Sequence, residues 1–205
     1  MRQIIKDCLD NSISYSEYVR LMQKLVLNKF TTGDEVSEAY INYTILNERR
    51  MKRWDKKLVI SEADKNTIIK FSSEVTWLVI TESWCGDAAH LLPVMNKVAE
   101  LNPNINLKIV LRDDNEPLMN NFLTNGNKSI PKLIMLDEET LEVLDVYGPR
   151  PSIATKMVED YKRENGALTP EFKEELQRWY NKDKGKTAIE DLTQLLYKVE
   201  PSFCL

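Results

Sequence analysis

Residues 75–81 read VTWLVIT, an unbroken run of β-branched, aromatic and aliphatic side chains. A strand with one face in water alternates apolar and polar residues; a run without alternation is the mark of a strand buried on both faces. Such a strand needs an apolar layer above and below it, and helices are the usual cover. The chain supplies one at once: Ala88, Leu91, Leu92, Met95, Val98 and Ala99 fall on a single helical face. INLKIVL, residues 105–111, is a second buried strand. Strand, helix, strand is a right-handed crossover, which predicts that 75–81 and 105–111 run parallel. KLIMLD and EVLDVYG, joined by the charged turn EET, predict a hairpin. Between 105–111 and this hairpin, NEPLMNNFLTNG predicts a short helix ended by Gly126.

On both sides of this middle stretch the signals are helical. Ser14 and Glu17 have capping-box spacing, and Tyr18, Leu21, Met22, Leu25 and Val26 follow with a three-four period. TTGDE breaks the chain, and a second amphipathic helix runs from about Val36 to Trp54. Ser61 or Asp64 caps a third. After Pro151 the pattern returns to helix, with a stop at Gly166, a new start at Thr169-Pro170 and a last helix over TAIEDLTQLLYKV. The domain reading is a helical N-terminal extension at 1–54, an α/β core at 55–165 and C-terminal helices at 166–205. Tyrosines, Trp54 and Trp179 in the additions predict that they pack on the core or build a homodimer interface.

Charge and cysteine usage narrow the classes. With a net charge of −4 the chain offers no electrostatic reason to bind nucleic acid or membranes. The densest basic run, RRMKRWDKK at 49–57, is read as the solvated face of a helix. There is no 18-residue apolar run and no signal-peptide pattern, so a cytoplasmic location is expected. Three widely spaced cysteines, Cys8, Cys85 and Cys204, are not a disulfide framework and suit a reducing compartment. One histidine, His90, and no closely spaced cysteines predict no metal site, and nothing requires a cofactor.

The turn between the first buried strand and its helix carries the chemistry. It reads SWCGDAAH, residues 83–90. Cys85 stands at a helix N-terminus, where unpaired N–H groups and the helix dipole favour a thiolate. A buried, inert cysteine is the equal alternative on position alone. Ile130-Pro131 stands immediately before a strand, where a cis proline in a tight turn fits. Pro93 lies inside a helical pattern and should kink it.

Trp84-Cys85-Gly86, Pro93 at its offset, Ile130-Pro131 before a strand and Gly148 after the next strand together resemble the thioredoxin family. The resemblance covers roughly residues 55–165. It implies an α/β thioredoxin fold, a central mixed sheet flanked by helices, with helical N- and C-terminal additions. The N-terminal helices and Trp-Cys-Gly-Asp look like a bacterial subgroup of thioredoxin-like proteins. The resemblance makes Cys85 the attacking thiol, with Trp84 shielding it. It makes Trp84, Gly86, Asp87, Ile130 and Pro131 the substrate-binding surface, Ile130 offering its backbone and Pro131 cis beside the thiol.

The departures are as informative. Ala88 replaces the resolving cysteine, and Asp87 stands beside the thiol with a charge that opposes thiolate formation. The family's buried proton-relay acid falls on Val79. Glu82 and His90 are read as surface residues, and so is Arg112 over its alternative as a cation facing the site. The leading expectation is a single-cysteine thiol–disulfide oxidoreductase: mixed disulfides form at Cys85 and an external thiol resolves them, with protein or low-molecular-weight thiols and disulfides as partners. Cys204 is a candidate internal resolver, although it and Cys8 read more simply as incidental thiols. The alternative is a non-catalytic binding module using the Trp84/Pro131 groove. A peroxidase pattern is absent: Leu78 and Glu82 stand where Pro and Thr would be.

Overall fold

The computed structural model describes residues 1–200. Cys204 therefore lies outside the described residues. In chain order the elements are α1 (Arg2–Asp10), α2 (Tyr15–Asn28), α3 (Glu38–Lys57), α4 (Glu62–Ile69), β1 (Val75–Thr81), α5 (Gly86–Ala99), β2 (Ile105–Leu111), a 3-10 turn (Asp113–Asn115), α6 (Glu116–Asn121), β3 (Lys132–Asp137), β4 (Val143–Tyr147), α7 (Ser152–Asn165), α8 (Pro170–Asp183) and α9 (Lys186–Val199). α1 has no counterpart in the sequence reading.

The four strands form one mixed sheet in the order β2-β1-β3-β4. β1 and β2 are parallel with Val75 opposite Ile105, and β1 pairs antiparallel with β3, so that Ile80 faces Lys132. The predicted hairpin is β3–β4, with a register irregularity at Met135/Leu136. Every residue of β1 is buried, as its unbroken apolar run requires. The outer edge of β2 is covered by the chain between α1 and α2, where Ile13 and Ile109 exchange backbone hydrogen bonds of 2.9 and 2.8 Å. This blunts an edge that would otherwise template pairing with another chain.

Helix starts follow the local chemistry. Ser14 makes the full capping box with Glu17, and Ser61 caps α4 through the Asp64 N–H. Thr169 accepts from the Phe172 N–H ahead of Pro170 at the start of α8. The short helix α6 ends at Asn121 and not at Gly126. Asn125 and Gly126, both at positive φ, form a tight turn in which Thr124 and Asn127 bond each other's backbone. Asn-Gly is the residue pair such a turn prefers, because both central residues need φ > 0.

Two apolar clusters hold the molecule. The main one joins the sheet to α1, α2, α3, α5 and α9 through side chains such as Tyr18, Trp54, Trp77, Leu92 and Leu192. The smaller one lies between α7 and α8 and consists of Ala154, Val158, Phe172, Leu176 and Tyr180. Within the basic run of α3, Met51 and Trp54 face the main core, Arg50 is half-buried, and the remaining charged residues are exposed.

Both Ile130-Pro131 and Gly148-Pro149 are cis peptide bonds. Gly148 has φ 103°, and a Cβ there would collide with the Pro131 carbonyl oxygen. An L side chain at this position is therefore excluded by conformation and by space. Gly148→Ala is expected to cost at least about 1–3 kcal/mol, the scale for a non-glycine residue forced into a disfavoured φ/ψ region, read as a lowered midpoint in urea denaturation. A variant as stable as the parent would show that the 148–150 turn can relax freely.

Candidate functional site

β1 ends at Thr81, and the next four residues turn the chain into α5. Ser83 anchors that turn. Its hydroxyl sits among those of Thr31 (3.1 Å), Thr32 (3.0 Å) and Thr44 (2.8 Å), its N–H donates to Thr32 Oγ1, and its carbonyl accepts from Asn47 Nδ2 at 2.9 Å. All of these groups are buried. A polar cluster inside a protein holds its geometry firmly when every member is partnered. This one fixes the 31–33 loop and α3 against the turn that presents Cys85.

Cys85 is the N-cap of α5 and is 7% exposed. Its thiol donates to the Ile130 carbonyl oxygen at 3.3 Å. Burial, and then the negative charge of Asp87, push the thiol well above its ordinary range, to about 12, against the opposing N–H groups of Ala88 and Asp87. The helix terminus therefore acts as expected but is outweighed, because desolvation penalises the charged form of a group removed from water. The Ile130 carbonyl accepts from Cys85 itself.

Asp87, in the first turn of α5, is buried and holds three segments together. Its carboxylate pairs with Arg150 at 2.7 Å and accepts from the Tyr180 hydroxyl at 2.9 Å. Burial pushes the Asp87 carboxyl up, with Arg150 and Tyr180 opposing. Tyr180 in turn is pushed up by its own burial and by Asp87.

His90 is buried, contrary to its reading as a surface residue. The Trp54 indole N–H donates to His90 Nδ1 at 2.8 Å, and His90 Nε2 lies 2.9 Å from Gln177 Oε1. An indole N–H can only donate, so Nδ1 is the acceptor and Nε2 carries the proton that Gln177 receives. The ring also stacks on Tyr180, with centroids 4.2 Å apart and planes 3° from parallel. Burial lowers its pKa to about 4. The sequence missed it because the partners come from α3 and α8, far away in the chain.

Glu82 is likewise buried, not exposed. Its Oε1 accepts from the Asp113 N–H at 3.0 Å. Burial raises its carboxyl pKa. Arg112, read as a surface residue, turns toward the site: its guanidinium lies 4.9 Å over the Trp84 ring and pairs with Asp113 at 2.7 Å. Tyr40 of α3 stacks on the same indole at 4.8 Å.

Tyr40 and Arg112, with the Trp84–Asp87 turn, border a cleft of about 790 Å³ that reaches to α8. Trp84, Cys85, Gly86, Asp87 and Ile130 line it. Pro131 is buried behind them under Gly148. Among the described residues, no group of three or more His, Cys, Asp or Glu side chains could hold a metal ion, and no helix is long and apolar enough to cross a membrane. Cys8, also a free thiol, is buried in α1, where it donates to Asn115 Oδ1 at 3.2 Å.

A mixed sheet in this order, a Trp-Cys turn at the carboxyl end of β1 and a cis proline opposite the thiol define a thioredoxin-like protein with one cysteine at the site among the described residues. The family model Thioredoxin_9, described as thioredoxin, matches residues 33–162, and the chain belongs to that family. Two solved structures share the fold. A protein of unknown function, PA1234 from Pseudomonas aeruginosa, is 21% identical over 74% of this chain and 84% of its own, with a TM-score of 0.59. An HIV 4E10 epitope-scaffold is 20% identical over 90% of this chain and 98% of its own, with a TM-score of 0.56. No curated protein matches.

Because His90 is the chain's one histidine, its titration can be followed alone. Its ring should keep a single neutral signal in NMR from pH 7.5 down to about 5. The linked effect on stability has a definite sign. Above pH 6.5 the ring is neutral whether the chain is folded or unfolded. As pH falls from 6.5 toward 4 only the unfolded chain takes up the proton, so stability is lost across that window. The loss is on the order of 3 kcal/mol by pH 4. A ring titrating near 6.5 would overturn the assignment.

Proposed function

We propose that this thioredoxin-family chain is a ligand-binding protein whose cleft beside Trp84 receives its partner, with Cys85 resting as a protonated thiol on the cleft wall. The observation that carries this reading is the state of Cys85: buried, donating to the Ile130 carbonyl, next to Asp87 and without a partner thiol at Ala88. A thiol with a pKa near 12 presents about one thiolate in 10⁵ at neutral pH, against a few per cent for an ordinary cysteine. Disulfide exchange requires the thiolate, so the resting site is a poor nucleophile. A cytoplasmic setting fits this reading, since a reducing compartment keeps such thiols free.

A second reading keeps exchange chemistry. Cys85 lines the cleft, and the Asp87 and Ala88 N–H groups favour its ionised form. In that reading a Cys85 thiolate attacks a disulfide, one S–S bond forms as the other breaks, and the partner leaves as a thiolate. An external thiol then reduces the mixed disulfide, because Ala88 cannot.

The two readings separate on the pH dependence of alkylation at Cys85 in a variant carrying Cys8→Ser and Cys204→Ser. We expect the iodoacetamide rate to rise continuously with pH and to show no midpoint below about 9. A midpoint below 7.5 would overturn the binding reading and restore the oxidoreductase.

A further inference from the structure

The cleft lining carries five cations against two acids, Asp87 and Glu174, in a protein whose net charge is −4. Of its five lining cations, three are neutralised by the protein itself: Arg150 by Asp87, Arg112 by Asp113 and Lys128 by Glu116. Lys173, at the rim on α8, makes no ion pair among the described residues.

Arg50 is different in kind. It is half-buried in the cleft wall and also makes no ion pair among the described residues; its Nη1 donates only to the amide oxygen of Asn47 at 3.0 Å. Burial and then Arg53 lower its pKa, while the charge of Asp87, itself committed to Arg150, acts in the opposite direction. A half-buried guanidinium with no carboxylate in direct contact keeps donors available, and an anion supplied from outside would pair with them. The place for that anion is defined. A Cβ added to Gly86 would lie 3.4 Å from Arg50 Nη1, so the guanidinium stands over the first residue of the 14-residue helix α5. The first N–H groups of α5 already serve Cys85 and its first turn carries Asp87, so the attraction for negative charge comes from Arg50, with Lys173 at the rim.

The same face of α3 adds an apolar wall. Tyr43, Leu46 and Arg50 are spaced i, i+3, i+7, which places them in one line along the helix. Tyr43 is 51% exposed and Leu46 41% exposed, and both line the cleft. Its volume of about 790 Å³ lies within the range of small-molecule sites.

Building on the ligand-binding reading above, we propose that the cleft takes an amphipathic organic anion. A phosphate or carboxylate pairs with the Arg50 guanidinium, and an apolar body lies along Tyr43 and Leu46. Arg50 is the primary anion-binding residue, and Lys173 assists from the rim. Arg112 and Arg150 hold the walls, their charges already committed.

The test uses the full chain and three probes: 1-naphthyl phosphate, inorganic phosphate and 1-naphthol. Binding is followed by heteronuclear NMR. We expect 1-naphthyl phosphate to bind saturably and shift the Gly86 and Asp87 amides, with the two half-probes at least about tenfold weaker. A charge-assisted hydrogen bond is worth at least that factor. Arg50→Gln should weaken naphthyl phosphate about tenfold or more, and Arg50→Lys should restore part of the affinity. Lys173→Gln, on an exposed residue whose loss leaves folding intact, should weaken it a few-fold. If 1-naphthol binds as tightly as its phosphate, or Arg50→Gln changes nothing, the anion site fails while the ligand cleft stands. If no probe shifts the cleft amides, both fail.

Discussion

The arrangement of the site depends on one buried carboxylate. Asp87 sits where α5 begins, pairs with Arg150 from the turn after β4 and accepts from Tyr180 on α8. Three segments that are distant in sequence are thereby fixed around the start of one helix. A buried ion pair contributes little net stability when replaced as a whole, but removing one partner leaves an uncompensated charge. Asp87 therefore acts chiefly as a positional constraint. The constraint matters because α7 and α8 carry their own small apolar cluster, while α8 meets α3 and α5 largely through polar and aromatic contacts: Asp87–Tyr180, His90–Gln177 and Arg53–Asn181.

The same carboxylate governs the thiol beside it. Helix termini lower cysteine pKa values, and the N–H groups of residues 87 and 88 do so here. Burial under the surrounding elements and a negative neighbour act in the opposite direction and prevail. A two-cysteine site needs its first thiol ionised and its second thiol close. Here burial holds the first thiol protonated, Ala88 stands at the position of the second, and beside them lies a wide cleft whose wall carries Arg50, which makes no ion pair among the described residues. Loss of the resolving thiol, a protonated Cys85 and a ligand-sized cavity form one consistent set.

Much of the architecture was legible in the residues. The unbroken apolar run at 75–81 demanded cover on both faces, the crossover to 105–111 required parallel strands, and Ser14, Ser61 and Thr169 marked helix starts through their side-chain oxygens. Where the reading slipped, a local rule had competed with another. Gly126 resembled a helix stop, yet the Asn125-Gly126 pair makes a two-residue turn, the stronger signal for that dipeptide. Glu82 and His90 were assigned to the surface because charged and polar residues usually lie there.

The antiparallel β1–β3 pairing that makes one sheet emerged only in the tertiary structure, whereas the sequence by itself determined an α/β pattern, the parallel β1–β2 pair, the β3–β4 hairpin and the position of Cys85 at the mouth of a helix with Ala88 in place of a second cysteine. These are properties of periodicity, capping and local spacing, which a single chain displays directly. Only the tertiary structure decided what surrounds that cysteine. The Ile130 carbonyl on its sulfur, the neutral His90 held between Trp54 and Gln177, the buried Glu82 and the approach of Arg50 to Gly86 all come from contacts between distant segments. Charge state follows from desolvation and from which groups face each other across space. Neither can be read from neighbours along the chain.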